Sequence, residues 1–374
     1  MTKSEMWYSL WEHSLRAGDH YDHPLEVPMG SRVRTKYVPA HGPRDAEIMI
    51  VGEAPGAEEE QYGKPFVGRA GQLLNEYLGR VGIRRDMRPE HDIYYSEVFA
   101  TNLSKYRPDQ NRFANLLGSD ELEKGIDELR EEILDVDPAV IIACGGWPLW
   151  YLTGMCGWDR GKQKPGTGIK NYRGSVLPCT LAEGYKVVAT LHPAFVIRAY
   201  GWAPVFTHDL ERAVRHINID GLAYPEYEVL VDPPNLAELT EEMCNAEWLS
   251  FDIETFGPGI MSCFGVTDSL DRALVITFNN SGGFEYARRI LESPAKKYGQ
   301  YGTYDCNFLH HFYGWKVQNY AFDTYIAAAE LMPEFPRGLD FLASIYTDFP
   351  YYKEERKVWK ETMDLSMLWE YNAK

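Results

Sequence analysis

Two carboxylates at alternate positions of a strand lie on one face, and FDIET sets Asp252 and Glu254 in that relation, able to share a divalent metal ion. In YDCNFL, Asp305 stands where a strand passes into a helix, and Asp323 opens a helical pattern as its cap. Far upstream, the apolar run IMIV leads directly into Gly52, Glu53, Ala54, Pro55 and Gly56. That tight turn exposes backbone N–H groups with the Glu53 carboxylate at its mouth. Each signal is ambiguous alone. A D-x-E pair also occurs as solvated strand charges, and a glycine-rich turn also serves as a phosphate loop or a purely structural turn. Phe66, Asn102 and His192 likewise read singly as a core aromatic, a turn or cap residue and a structural histidine.

The elements that must position these residues are legible as hydrophobic patterns. Up to about residue 217, four apolar runs, AEIMIV, DIYYSEVFATN, AVIIACGG and KVVATLHP, alternate with helical patterns, as in a mostly parallel sheet covered by helices on both faces. AGQLLNEYLGRVG places Leu73, Leu74, Tyr77, Leu78 and Val81 at helical spacing, DELEKGIDELREEILDVD aligns Ile126, Leu129 and Ile133, and PVFTHDLERAVRHI closes the unit. Ligand sites in such sheets form at the carboxyl ends of strands, where Gly52, Asn102 and His192 stand. From Glu228 the pattern changes to EYEVLV, EWLSFDIET, IMSCFGVTD and RALVITF, strands interrupted by the helical LAELTEEMCNA. The expected organisation is one α/β domain over 1–218, a linker over 219–235 and a second α/β domain over 236–374.

A chain of 374 residues has room for two such domains. The formal charge of −17 divides unevenly, with a net −5 over 1–220 and −12 over 221–374. Any contact with phosphate must therefore be local, in a groove whose affinity falls steeply with salt. No apolar stretch is long enough to span a membrane and the N-terminal residues carry charges throughout, so a cytoplasmic protein is expected. Six scattered cysteines without a CxxC pair read as free thiols.

Taken together, three strings in order, GEAPGAEEEQYGKPFVGRAGQLL, TNLSKYRPDQNR and LHPAFVIR, resemble the motifs of family 4 uracil-DNA glycosylases. The resemblance implies a three-layer α/β/α fold and hydrolysis of the N-glycosidic bond of uracil in DNA. It assigns Gly52, Ala54, Pro55 and Gly56 to the pocket turn, Phe66 to stacking on the flipped base, Asn102 to reading the uracil edge and His192 to donating to uracil O2. Glu53 would orient water or stabilise the sugar cation. Arg107, Arg112, Arg173 and Arg198 read either as phosphate contacts or as solvated surface. The family holds an iron–sulfur cluster on four cysteines, but here the N-terminal stretch has none and Tyr106 stands in the second motif. No cluster is expected, and Trp7, Tyr8, Trp11 and Tyr106 are expected to fill its space.

FDIET, YDCNFL and FDTYIAAAEL resemble the 3′–5′ proofreading exonuclease domain of family A DNA polymerases, a ribonuclease H-like α/β fold. The resemblance implies Mg2+ or Mn2+ held by Asp252, Glu254 and Asp305, with Tyr371 orienting water. Its last metal-binding Asp would fall just after Lys374, so a truncated chain with an impaired exonuclease and a polymerase domain in its continuation is expected. The whole reads as a uracil-excising repair and replication protein acting on uracil-containing or primer-end DNA. Its alternative is a catalytically inactive uracil- or single-stranded-DNA-binding module tethering the polymerase or exonuclease.

Overall fold

The computed structural model describes residues 36–155, 158–159, 164–165, 168–278, 282–353 and 364–373. These form two compact units, one of residues 36–224 with 344–351, the other of 225–343 with 352–373. No helix among the described residues is long and apolar enough to cross a membrane.

In the first unit, five strands lie in the order Phe99–Asn102, Ile48–Gly52, Val140–Cys144, Lys186–Thr190, Val176–Pro178. The first four are parallel and the last is an antiparallel edge. Alternate side chains divide between two cores. Met49, Val51, Ile141 and Ala143 pack with helix Asp120–Val136 on one face. Ile48, Ile50, Ile142 and Cys144 pack with helices Arg69–Arg80 and Ala203–Arg215 on the other. Burial on both faces explains why these strands read as continuous apolar runs. The run DIYYSEVFATN differs from its expectation as one strand. Ile93–Ser96 pairs with Arg85–Arg88 as a hairpin, and only Phe99–Asn102 joins the main sheet. At the break, Ser96 Oγ donates to the Val98 carbonyl at 2.6 Å, and the Arg84 N–H reaches the Glu97 carboxylate at 2.7 Å.

The second unit is a six-stranded mixed sheet in the order Glu228–Val231, Arg272–Thr277, Ile260–Thr267, Trp248–Gly257, Lys296–Gly299, Tyr320–Asp323. Its three central strands are antiparallel, whereas the flanking strands join in parallel. Phe251, Ile253, Phe264 and Ile276 pack with Leu239, Met243, Ala287, Ile290 and Leu309 from the covering helices. FDIET thus lies on a central strand, where neighbours on both sides hold its register.

Candidate active sites

Three strand ends of the first unit bring the motif residues together. Gly52 and Asn102 are partners on adjacent parallel strands, so the turn 52–56 and the loop after Asn102 open side by side. A Cβ at Gly52 would stand 2.4 Å from Asn102 Oδ1 and 2.6 Å from Phe66 Cζ, which brings the amide and the ring to one point and explains the glycine. The Phe66 ring faces His192, with centroids 6.5 Å apart and planes 29° apart. On the far side, a Cβ at Gly145 would lie 3.0 Å from Glu53 Oε1 and 3.4 Å from His192 Cβ. Gly145, at φ 105°, follows the third parallel strand and is the wall between acid and imidazole. It was not singled out in sequence, although the Gly-Gly after VIIAC marks a strand end where backbone closely approaches other groups.

The environment sets the protonation of both groups. Burial pushes Glu53 up to about 7, against the opposing pull of Arg198. Burial and the Arg198 charge hold His192 down at about 4, so its imidazole is neutral at physiological pH. Nδ1 of His192 accepts the Ala194 N–H at 3.1 Å as the cap of helix Pro193–Arg198, which leaves the single ring proton on Nε2. The pocket therefore offers one neutral N–H donor opposite a carboxyl poised to ionise near neutrality.

Residues outside the three motifs hold the Phe66 loop in place. Phe66 adopts φ 51°, a left-handed conformation costly for an aromatic residue. Buried Arg85 donates to the Pro65 carbonyl at 2.8 Å and the Phe66 carbonyl at 2.9 Å, fixing that backbone. Glu59 accepts from the N–H groups of Val67 and Gly68 at 3.0 and 2.7 Å, and from Gly56 at 3.1 Å, tying the loop to the pocket turn. Gly71 lets the helix pass, since a Cβ there would meet the Phe66 carbonyl oxygen at 1.9 Å. Gly71→Ala is expected to lower unfolding stability by about 2 kcal/mol, because backbone must shift to admit the methyl; urea titration measures it.

Arg198 lies in the last turn of its helix, beside Glu53 and His192 in charge. Arg173 corrects the expectation of a phosphate contact: it is wholly buried and bonded to Asp209. Among the described residues of this unit, the donor set does not fit an iron–sulfur cluster. Cys144 and Cys179 lie in the cores on opposite faces of the sheet, and burial raises both thiols, Cys144 to about 12. Tyr106 packs edge-on against Tyr37 at 5.6 Å. Trp7, Tyr8, Trp11 and Cys156 lie outside the described residues.

In the second unit, Asp252 is exposed and Glu254 buried on the strand Trp248–Gly257, with a bulge beginning at Glu254. Asp305, in the first turn of helix Thr303–Tyr313, is buried and pushed up to about 7, chiefly by burial and further by the charges of Glu254 and Asp323. Asp323 caps its helix, accepting from Tyr325 at 2.8 Å and from Gly302 and Tyr320 Oη at 2.9 Å, which occupies its oxygens structurally. Asn372, not foreseen, donates through Nδ2 to Asp252 Oδ2 at 2.9 Å, while the ring of neighbouring Tyr371 packs on Tyr352 at 5.6 Å. Among the described residues no three acids, histidines or cysteines are drawn together as a metal-holding group. Asp252, Glu254 and Asp305 carry oxygen donors, the kind of donor a hard divalent cation takes.

Two family models match this chain. A family model described as the uracil DNA glycosylase superfamily matches residues 39–211, and one described as 3'-5' exonuclease matches 227–374. The type-4 uracil-DNA glycosylase of Pyrobaculum aerophilum is 36% identical over 179 residues, covering 48% of this chain and 82% of that protein. That of Thermotoga maritima is 33% identical over 190 residues, covering 50% and 86%. A DNA polymerase of Bacillus phage SP01 is 32% identical over 189 residues, which cover 49% of this chain and 18% of the polymerase.

Proposed function

The chain belongs to the type-4 uracil-DNA glycosylase family, and on that premise we propose that it removes uracil from DNA through the Glu53, Phe66, Asn102 and His192 pocket. Phe66 stacks on the extruded base and the Asn102 amide pairs with its edge. His192 Nε2–H donates to uracil O2 as the N1–C1′ bond breaks and the electron pair moves onto the base. The Glu53 carboxylate orients the water that adds to C1′ and stabilises positive charge on the sugar. Supply of a preorganised donor at the oxygen where charge develops is the largest single contribution expected of such a site. The observation that carries this reading is the gathering of Glu53, Phe66, Asn102 and His192 around Gly52 and Gly145, with His192 Nδ1 already engaged by the Ala194 N–H.

The second unit we assign to 3′–5′ exonuclease activity on DNA, alongside a DNA polymerase, a reading supported by the exonuclease family match and the phage polymerase. Asp252, Glu254 and Asp305 would hold Mg2+ or Mn2+, which supplies charge neutralisation at a scissile phosphate, and Tyr371 would orient water there. Residues 1–218 and 236–374 are the proposed functional domains, joined by 219–235, in a cytoplasmic protein.

The test uses 5′-labelled oligonucleotides with and without one uracil, in magnesium or in EDTA, followed by alkali. A single break at uracil that persists in EDTA is the expected result for the first unit. Binding without a break would replace it with the binding-module reading. For the second unit, a weak or absent magnesium-dependent ladder from the 3′ end is the result expected of an impaired exonuclease, and a strong ladder would overturn that expectation.

A further inference from the structure

The first unit includes a segment that lies far away in sequence, Ser344–Tyr351, inside the stretch matched by the exonuclease family model. It is bound through buried groups. Arg173 donates to Asp209 through Nε at 2.9 Å and through a terminal nitrogen at 2.5 Å, and spends its other terminal nitrogen on Ser344 Oγ at 2.7 Å. Arg212 donates to the Gly174 carbonyl at 2.7 Å and the Thr347 carbonyl at 2.6 Å, and lies 3.5 Å from Asp348. The Tyr351 N–H donates to Ser175 Oγ at 3.0 Å, and its ring packs on Tyr172 at 4.7 Å. Gly174, at φ 78°, admits this approach: a Cβ there would lie 3.1 Å from Asp209 Oδ1 and 3.3 Å from the Ser344 carbonyl oxygen.

The same network runs on to the pocket. Asp209 Oδ2 accepts from Thr190 Oγ1 at 3.0 Å, and Thr190 is two residues before His192. The Thr190 carbonyl accepts the N–H of Gly145, the wall between Glu53 and His192, at 2.9 Å, and the Gly174 N–H donates to Ala189 at 2.7 Å. Arg173, Asp209 and Thr190 are fully buried, so a polar group withdrawn from this chain is replaced by no water and the strand end must adjust.

We propose that Ser344–Tyr351 acts as a positioning segment for base release, closing the buried Arg173–Asp209–Thr190 network that seats the strand end carrying His192. The inference rests on the glycosylase reading for its activity, but its structural half is separately measurable. In the full chain, Ser344→Ala, Asp348→Ala and Tyr351→Ala are combined, with Tyr351→Phe as the conservative control that keeps the ring on Tyr172. Two quantities are read: amide hydrogen exchange at Gly145 and Gly174, and single-turnover uracil release at saturating DNA beside the Kd for the same oligonucleotide.

The expected result is faster exchange at both glycines and release slowed on the order of tenfold, with Kd unchanged and the control like the parent. Parent-like exchange and release in the combined variant would overturn the proposal, as would a loss in Kd that accounts for the whole effect. A parent chain that releases no uracil, with the variant still exchanging faster, would sink the glycosylase reading and uphold the seating of the strand end. Should the combined variant not fold, Ser344→Ala alone, which removes one hydroxyl from Arg173, is read by the same two measurements.

Discussion

His192→Leu is expected to slow single-turnover uracil release roughly a hundred- to a thousand-fold, the usual cost of deleting one donor aimed at developing negative charge. Binding of the uracil oligonucleotide should change little, because the donor gains most of its strength only as charge moves onto O2. The direction of the pH dependence sharpens this test. Because His192 is held at about 4, its neutral form is the working one, and its own protonation removes activity only as pH falls through that value. An imidazolium mechanism would instead lose activity as pH rises from 6 to 8. Stopped assays of the parent from pH 4 to 9 distinguish the two, and a rate that fell with rising pH across neutrality would refute the neutral-donor assignment.

Glu53→Gln carries the second large effect, a loss of roughly a hundredfold, in the range of a positioned base or charge-stabilising carboxylate. Glu53 is raised to about 7, so in the parent the active carboxylate is depleted below that pH and the rate should fall about tenfold per unit well below it. Glutamine cannot titrate, so the variant's profile should be flat across the same window. Stability moves the other way. A carboxyl whose folded pKa is raised favours the fold when protonated, fully so below its ordinary value of 4.5, and that contribution is lost as pH rises towards about 7. At pH 8 the Gln variant should therefore melt at a higher temperature than the parent while releasing uracil more slowly. A variant that retains the parent's acidic limb would show that another group is responsible for it.

The chain's local patterns determined much by themselves. Strands such as IMIVG are buried on both faces and must therefore be apolar throughout, and the pocket residues lie just beyond strand ends, where contiguous motifs keep them recognisable. Helix Arg69–Arg80 and helix Asp120–Val136 follow from spacing alone, and the position of Asp323 at a helix start from the pattern after it. The same local logic misjudged DIYYSEVFATN, where hydrogen bonds at Ser96 and Glu97 break an apolar run that looks continuous.

What only the tertiary structure decided are relations between residues distant in sequence. Arg85 reads as one more surface charge until the Pro65 and Phe66 carbonyls are found on its guanidinium, and Gly145 as a strand-end glycine until Glu53 and His192 close around it. Arg173 reads as a phosphate contact or solvated surface because an arginine's default partner is solvent, and its burial against Asp209 excludes both. Asn372 against Asp252 and Ser344 against Arg173 join residues 120 and 171 positions apart. Periodicity and motif spacing register only which face a residue occupies within its own element. Which partner meets that face is set by how the sheets and helices pack, and buried polar groups, which must find a partner or lose stability, are where that choice matters most.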